Sequence, residues 1–439
     1  MWLPVFKVRL SPGGEFEKGF EAASSGFRRV VEAAEDYGGV VRIYSYPSRD
    51  SLVAGAYLFK RLLALGLRPV AGVSVKPPPV LSPTVLLGYD SLQYKATEVE
   101  HPVFAVSSGE LRGTPVMNVY MVEAEGSVSA AAAIASSEVV GYRGSWDVMV
   151  ALAGCMAGRY VERNGRFHGL DRMLLDELGR IEVYGLEVVT SLKAYKPMEG
   201  GVCDAIARTV NPYYPKMTGD PGYCAEVLRG EGLGGLASRS LYSVSDKEEL
   251  SRLVSTILSH VSRYTQRLEG EELVEEYVGG YPISTAPGAP VADARMALDA
   301  LTMAMELGGL EGLLATVMDL EREYPIAEAA LEDLARGFED LLSRVKPRRV
   351  KSHPRLRLYL LGQDAREAPL YLLWRALQLT GVVERDSVVA VEDGEGGAVA
   401  SAPQAEDALG VGSVRRIVES RLGRLEGLRL WLDVNALQR

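Results

Sequence analysis

Between residues 40 and 122, short runs rich in Val, Ile, Leu and aromatic residues alternate with helix-length or looped connections. This alternation restricts the fold more than any other feature. The run VVRIYSY at 40–46 precedes SLVAGAYLFKRLLALG at 51–66, whose apolar spacing predicts a helix ending at Gly66. The β-rich runs PVAGVSV, VLLGY, VFAV and PVMNVYMV follow. Strands separated by helices or long connections predict an α/β fold with a mainly parallel sheet covered on both faces. Ahead of it, Phe16, Phe20, Phe27, Val30 and Ala34 fall at helical spacing before Gly38-Gly39. Small-residue helices are expected at 127–139 and 147–162. This block, 1–195, is the expected first domain.

Over 196–345 the strands thin out and a helical middle section is expected. One helix carries Met296, Ala300, Met303 and Leu307 and ends at Gly308-Gly309. A second begins after Pro325, carries Leu331, Leu334, Phe338, Leu341 and Val345, and stops at Pro347. Glu269, Glu271, Glu272, Glu275 and Glu276 read as a solvated helix face or as a surface for a basic subunit. The basic stretch KPRRVKSHPRLR then leads into a small third α/β domain, 346–439. There a strand at 356–361, a helix near 368–380, a strand pair in SVVAVEDGEGGAVASA, a helix near 411–424 and a last strand LRLWLDV are expected.

Charge sets a limit on function. With 48 Lys and Arg against 58 Asp and Glu the net charge is -10, so bulk attraction to nucleic acid is excluded and any such contact must be local. Lys346, Arg348, Arg349 and Lys351 form the local positive patch suited to phosphates or an acidic partner, the alternative being a solvated linker. Cys155, Cys203 and Cys224 are too few and too far apart for a disulfide framework or a CxxC metal knuckle, and a reducing, cytoplasmic setting is expected. The uncharged stretches near 77–89 and 126–137 fall short of the ~20 apolar residues of a membrane span. No membrane partner and no export signal are expected.

In open parallel sheets, sites form at the carboxyl ends of the strands. The first such junction, YSYPSRDSLVAGAYL, has no GxGxxG or P-loop pattern, so a nucleotide cradle is unsupported. The second ends in Asp90, the third reads VFAVSSGEL, and the fourth strand is expected to end at Asn118. This succession resembles the DHH phosphoesterase superfamily, which contains the RecJ nucleases. The resemblance places that family's metal positions at Ser48, Asp50, Asp90, Ser107, Ser108, Gly109 and Gly158. The segments NPYYPKMTG and YPISTAPGAPVADARMALDALTMAM are similar to the archaeal RecJ-like branch, and VEDGEGGAVASAP looks like the start of a DHH-associated C-terminal domain, with Ser401-Ala402-Pro403 at the family's Ser-x-Arg.

A centre of two divalent ions needs several carboxylate or imidazole ligands to offset its charge, and only Asp50 and Asp90 of the seven positions supply one. The expectation is therefore a lost nuclease site with no metal and no cofactor. Asp50 and Asp90 remain readable as former ligands or as helix-cap and loop residues. The resemblance then implies a counterpart of the superfamily's non-catalytic members of the cell-division-cycle 45 type. That means an archaeal, nucleoid-associated scaffold joining the GINS complex and the MCM ring of the replicative helicase, with single-stranded DNA as a further contact. A residual metal-dependent exonuclease or oligonucleotide phosphoesterase is the alternative, and a metabolic α/β enzyme a third reading. Tyr44, Tyr46, Tyr89, Tyr213 and Tyr214 read as core residues or as stacking surfaces for bases. His101, His168, His260 and His353 have no zinc spacing, and Cys155 reads as a buried inert thiol.

Overall fold

The computed structural model describes residues 6–13, 16–94, 99–113, 117–158, 166–265, 268–286, 289, 291, 293–350 and 356–437. Its first sheet has six parallel strands in the order β1-β8-β6-β4-β2-β3, from β1 (Phe6–Leu10), β2 (Val40–Ser45), β3 (Arg68–Val73), β4 (Thr84–Leu87), β6 (Val103–Ser107) and β8 (Val119–Ala124). The two-residue strands β5 (Ser91–Leu92) and β7 (Arg112–Gly113) pair beside it. Helices α1 (Phe16–Ala34), α2 (Arg49–Ala64), α3 (Val128–Val140), α4 (Ser145–Ala157) and α5 (Gly169–Gly179) complete this part. Alternation along the strands decides what covers each face. Ile43, Val85, Leu87, Phe104, Val106 and Val122 join the cluster that holds α1 to α4. Leu86, Val103, Ala105, Val119 and Met121 belong to a second cluster, shared with the C-terminal sheet. The expected cover of both faces is present: helices α1 to α4 on one, and on the other the C-terminal sheet together with Ala402, Ala405, Val414 and Ile417 of its helices.

The middle section is mostly helical: α6 (Val202–Ala207), α7 (Pro221–Gly230), α8 (Lys247–Val261), α9 (Gly270–Tyr277), α10 (Ala294–Met318) and α11 (Glu323–Arg344). It also contains β10 (Val278–Ser284), paired antiparallel with β9 (Leu186–Leu192). Helix α10 breaks at Gly309, where the glycine break was expected. At 25 residues it is long and apolar enough to cross a bilayer by composition, and its first half is buried within the protein, where α10 packs on α2, α4 and α11. Helix α11 starts before Pro325 rather than after it, because a proline in the first turn lacks only an N–H that has no helical acceptor. Cys203 on α6 and Cys224 on α7 form a disulfide, correcting the expectation of unlinked cysteines. Twenty-one residues separate them in sequence, but the two helices pack against each other.

The C-terminal sheet has the order β11-β12-β13-β14-β16-β15, from β11 (Arg348–Arg349), β12 (Arg357–Leu361), β13 (Ser387–Glu392), β14 (Gly397–Ser401), β15 (Gly423–Glu426) and β16 (Arg429–Asp433). Helices α12 (Leu370–Leu379), α13 (Ala402–Leu409), α14 (Ser413–Glu419) and α15 (Val434–Leu437) complete it. The basic stretch is partly an edge strand, with Arg348 opposite Leu360 and Arg349 opposite Tyr359. The helix expected near 411–424 is confined to α14, because β15 begins at Gly423.

Candidate functional site at the interdomain cleft

The strand ends of the first sheet open onto a cavity of about 390 Å³ whose far wall is α13 and the turn that follows it. Ser48, Asp50, Ser108 and Gly158 line it together; Asp90, Ser107 and Gly109 are not among its lining residues. Sequence reading had missed Arg49, Glu125, Ser127, His168, Asp171, Glu406 and Asp407, which also line it. Ser127 and Asp171 had a readable signal, each standing at the start of a helix. Glu406 and Asp407 had none: 360 residues separate Glu406 from Tyr46, the strand-end residue it meets.

Ser48 is the N-cap of α2 and accepts from Ser51 N at 3.4 Å. Asp50, in the first turn of α2, sends its carboxylate across to the start of α3. Its Oδ2 accepts from Val128 N at 2.7 Å and its Oδ1 from Ser129 N at 2.8 Å. Asp171 takes the neighbouring donor, Ser127 N, at 3.2 Å, and the Ser127 hydroxyl also donates to it. Three of the amide groups that a helix start leaves without acceptors are thereby satisfied by two carboxylates. Burial nonetheless pushes Asp50 up to about 7, against the lowering effect of Ser129 and the α3 amides. It pushes Asp171 up to about 6, against the pull of Ser127, Cys155 and His168. The Cys155 thiol is raised by burial, then by Asp171, which leaves it unsuited to nucleophilic work.

Asp90 is engaged elsewhere. Its two oxygens accept from Arg415 Nη1 at 2.6 Å and Nη2 at 3.0 Å, a bidentate pair joining the first sheet to α14. Just before Asp90, Gly88, at φ 80°, lets the end of β4 lie close against the first turn of α2, because a Cβ there would stand 1.9 Å from Ser51 Oγ. Beside the pair, Tyr46 Oη donates to Glu406 Oε2 at 3.1 Å and accepts from Arg415 N at 3.2 Å.

These residues do not fit a two-ion centre. Asp50 has both oxygens on backbone amides, and Asp90 has both on Arg415. Gly158 offers no ligand, and a Cβ added to it would stand 2.9 Å from Cys155 O and 3.0 Å from Ser127 Cβ. Among the described residues, no three His, Cys, Asp or Glu side chains are grouped so as to hold a metal ion.

Tyr213 and Tyr214 are core residues, edge-on to Phe338 and Tyr277, and Tyr46 and Tyr89 are buried against each other. Tyr44 is half-buried beside Gly72. His101 packs on Tyr37, and His260 lies buried between Tyr223 and Tyr264. In the basic patch, Lys346 is exposed, Arg348 pairs with Glu392, and Arg349 lies 3.6 Å from Glu384. None of these three lines the cavity. Lys351 and His353 lie outside the described residues. Two members of the acidic cluster meet cations within the chain, Glu276 with Arg375 and Glu272 with Arg385.

No protein-family model matches the sequence, and no curated protein matches it. Among solved structures, CDC45 from Entamoeba histolytica is similar over 95% of this chain and 97% of its own, with a TM-score of 0.59 and 12% identity. RecJ from Thermus thermophilus in complex with Mn²⁺ aligns over 94% of this chain and 52% of its own, with a TM-score of 0.39 and 14% identity. Exonuclease RecJ bound to manganese aligns over 98% and 91%, with a TM-score of 0.39 and 12% identity. The chain has the fold of CDC45 along nearly its whole length, which bears out at the level of fold the resemblance read from the sequence.

Proposed function

Given that fold, we propose that this chain is a non-catalytic scaffold subunit of an archaeal replicative helicase, joining the GINS complex to the MCM ring and acting on the chromosome in the cytoplasm. One observation carries the reading: both carboxylates retained at the family's metal positions serve the protein's own structure, Asp50 at the start of α3 and Asp90 on Arg415. An extensive patterned core, with no free ligand set among the described residues, supports a role carried by shape and surface. The fold of CDC45 supports the assignment to the helicase. Lys346, Arg348, Arg349 and Lys351 are the residues proposed for single-stranded DNA or an acidic partner.

Gel filtration and isothermal titration of the purified chain against cognate GINS test the proposal, with MCM added to the resulting complex. A stable complex is expected, with an interface on the order of 1,200–2,000 Å². No heat and no co-elution at tens of micromolar would remove the GINS assignment. Mn²⁺-dependent cleavage of single-stranded DNA that disappears with Asp50→Asn would replace the scaffold by the residual exonuclease.

A further inference from the structure

A strand at the edge of a sheet presents a row of backbone groups able to pair with another chain, and proteins ordinarily guard it with charge or proline. The outer strands of the two six-stranded sheets are β1, β3, β11 and β15. Each carries such a guard: Lys7 and Arg9 on β1, Arg68 and Pro69 on β3, Arg348 and Arg349 on β11, and Arg424 on β15. Strand β9 has none. Its seven residues, LEVVTSL, include no Lys, Arg or Pro, and it pairs on one side only, with β10.

Two hydrogen bonds fix which way its backbone faces. Thr285 N donates to Gly185 O at 2.9 Å and Lys193 N to Tyr277 O at 2.8 Å, one bond just beyond each end of the ladder. Bonded positions alternate in an antiparallel pair, so Glu187, Val189 and Ser191 face β10, while Leu186, Val188 and Thr190 turn their N–H and C=O groups to the free edge. Pro282 stands opposite Val188, where the ladder needs no N–H from β10, in agreement with this register. Among the described residues, no hydrogen bond reaches the outward groups of Leu186, Val188 and Thr190. The opposite edge of the ribbon is closed, with Ile283 bridged to Asp293 and Tyr281, Pro282 and Ser284 buried.

The side chains suit the same use. Val188 is 46% exposed, and Val183, just before the strand, 73%. Tyr242, 37% exposed, donates from its hydroxyl to Glu187 Oε2 at 3.2 Å, which lays its ring beside β9. Charge narrows the partner. From Ile181 to Leu192 the chain carries Glu182 and Glu187 and no base, and α9, packed on β10, adds Glu271 and Glu275. Two copies pairing β9 to β9 would bring these acidic surfaces together, whereas a basic partner would be drawn to them. We propose that the free edge of β9 is a docking site for an extended segment of a partner protein, which adds as a third strand and carries Lys or Arg on either side of alternating apolar residues. This assignment does not rest on the helicase reading, since it concerns one edge of the chain by itself.

Fluorescence anisotropy on the full chain tests it, with a labelled peptide of about eleven residues that alternates Val and Thr between paired lysines, and a second in which glutamates replace the lysines. The lysine peptide is expected to bind with a Kd on the order of 10–100 μM, and the glutamate peptide about tenfold more weakly. Val188→Lys places a charge on the edge, and Thr190→Pro removes an outward N–H that the β9–β10 ladder does not use. Each should weaken binding about tenfold and leave the melting temperature within about 2 °C. Amide hydrogen exchange of the unmodified chain should slow across 186–190 when the lysine peptide is added. Should a variant fail to fold, that readout decides on the native chain alone. No binding at ~1 mM peptide, binding unchanged in both variants, or protection confined to other segments would overturn the proposal. Equal binding of the glutamate peptide would remove the basic partner, and a dimer in sedimentation that Val188→Lys dissolves would give the edge to a second copy instead.

Discussion

Asp50 is held by two amides and penalised by its surroundings, and the balance has a pH signature. Burial raises its folded value to about 7, whereas the unfolded chain ionises near 4. The folded state therefore holds the proton longer, so stability falls as pH climbs from about 4 to about 7 and levels off above. Full ionisation costs roughly 4 kcal/mol on this scale. Asp171, raised to about 6, acts with the same sign over a narrower window. In Asp50→Asn the urea midpoint should decline less between pH 4 and 7: the variant starts about 1 kcal/mol less stable near pH 4, because its amide nitrogen cannot accept from the second α3 amide, and gains on the parent as the pH rises and Asp50 ionises. A second residue-scale test concerns the buried pair Arg61 Nη1 to Asp147 Oδ2, 2.8 Å. Asp147→Ala leaves that guanidinium without its carboxylate and should cost about 3–5 kcal/mol in urea unfolding.

At the scale of elements, Gly309 holds φ 62°, ψ -145° between the two halves of α10, with open space where a Cβ would go. Gly309→Ala should therefore carry only the backbone cost, about 1–3 kcal/mol in urea unfolding. Gly158 is the opposite case, where space is the obstacle. Restoring Asp at 48, 107 and 158 with His at 108 and 109 should yield no Mn²⁺-dependent cleavage of single-stranded DNA and a lower melting temperature. A Cβ at 158 meets Cys155 O and Ser127 Cβ, and Gly109 sits at φ 150°, a strained conformation for His. Elements with strong local period were legible in the sequence: β2, α2, β6, α3 and the break in α10. Strand β1, the partners β9 and β10, α13 and β15 were not. Each is short, and pairing or packing, which no local pattern records, is what makes it an element.

For the whole molecule, a chain whose retained carboxylates are consumed internally should gain nothing from metal. Millimolar Mn²⁺ is expected to move the melting temperature by less than about 1 °C, because stabilisation requires binding to the folded state. The sequence by itself determined the α/β class, the succession of strands and helices from β2 to α3 that forms one wall of the cleft, and the shortage of ligands at the family's metal positions, since these depend on residue type and local spacing. It left Asp50 and Asp90 open between ligand and cap, and the structure gives both carboxylates partners that no spacing predicts. Asp50 caps a helix 78 residues away, and Asp90 meets an arginine 325 residues away. It kept Cys203 apart from Cys224, and read the acidic cluster as facing solvent or another subunit when two of its members face Arg375 and Arg385. Only the tertiary structure decided these partnerships. A side chain's chemistry is set by what folding brings within a few ångströms of it, and for charged groups at a domain boundary that neighbour comes from the far end of the chain.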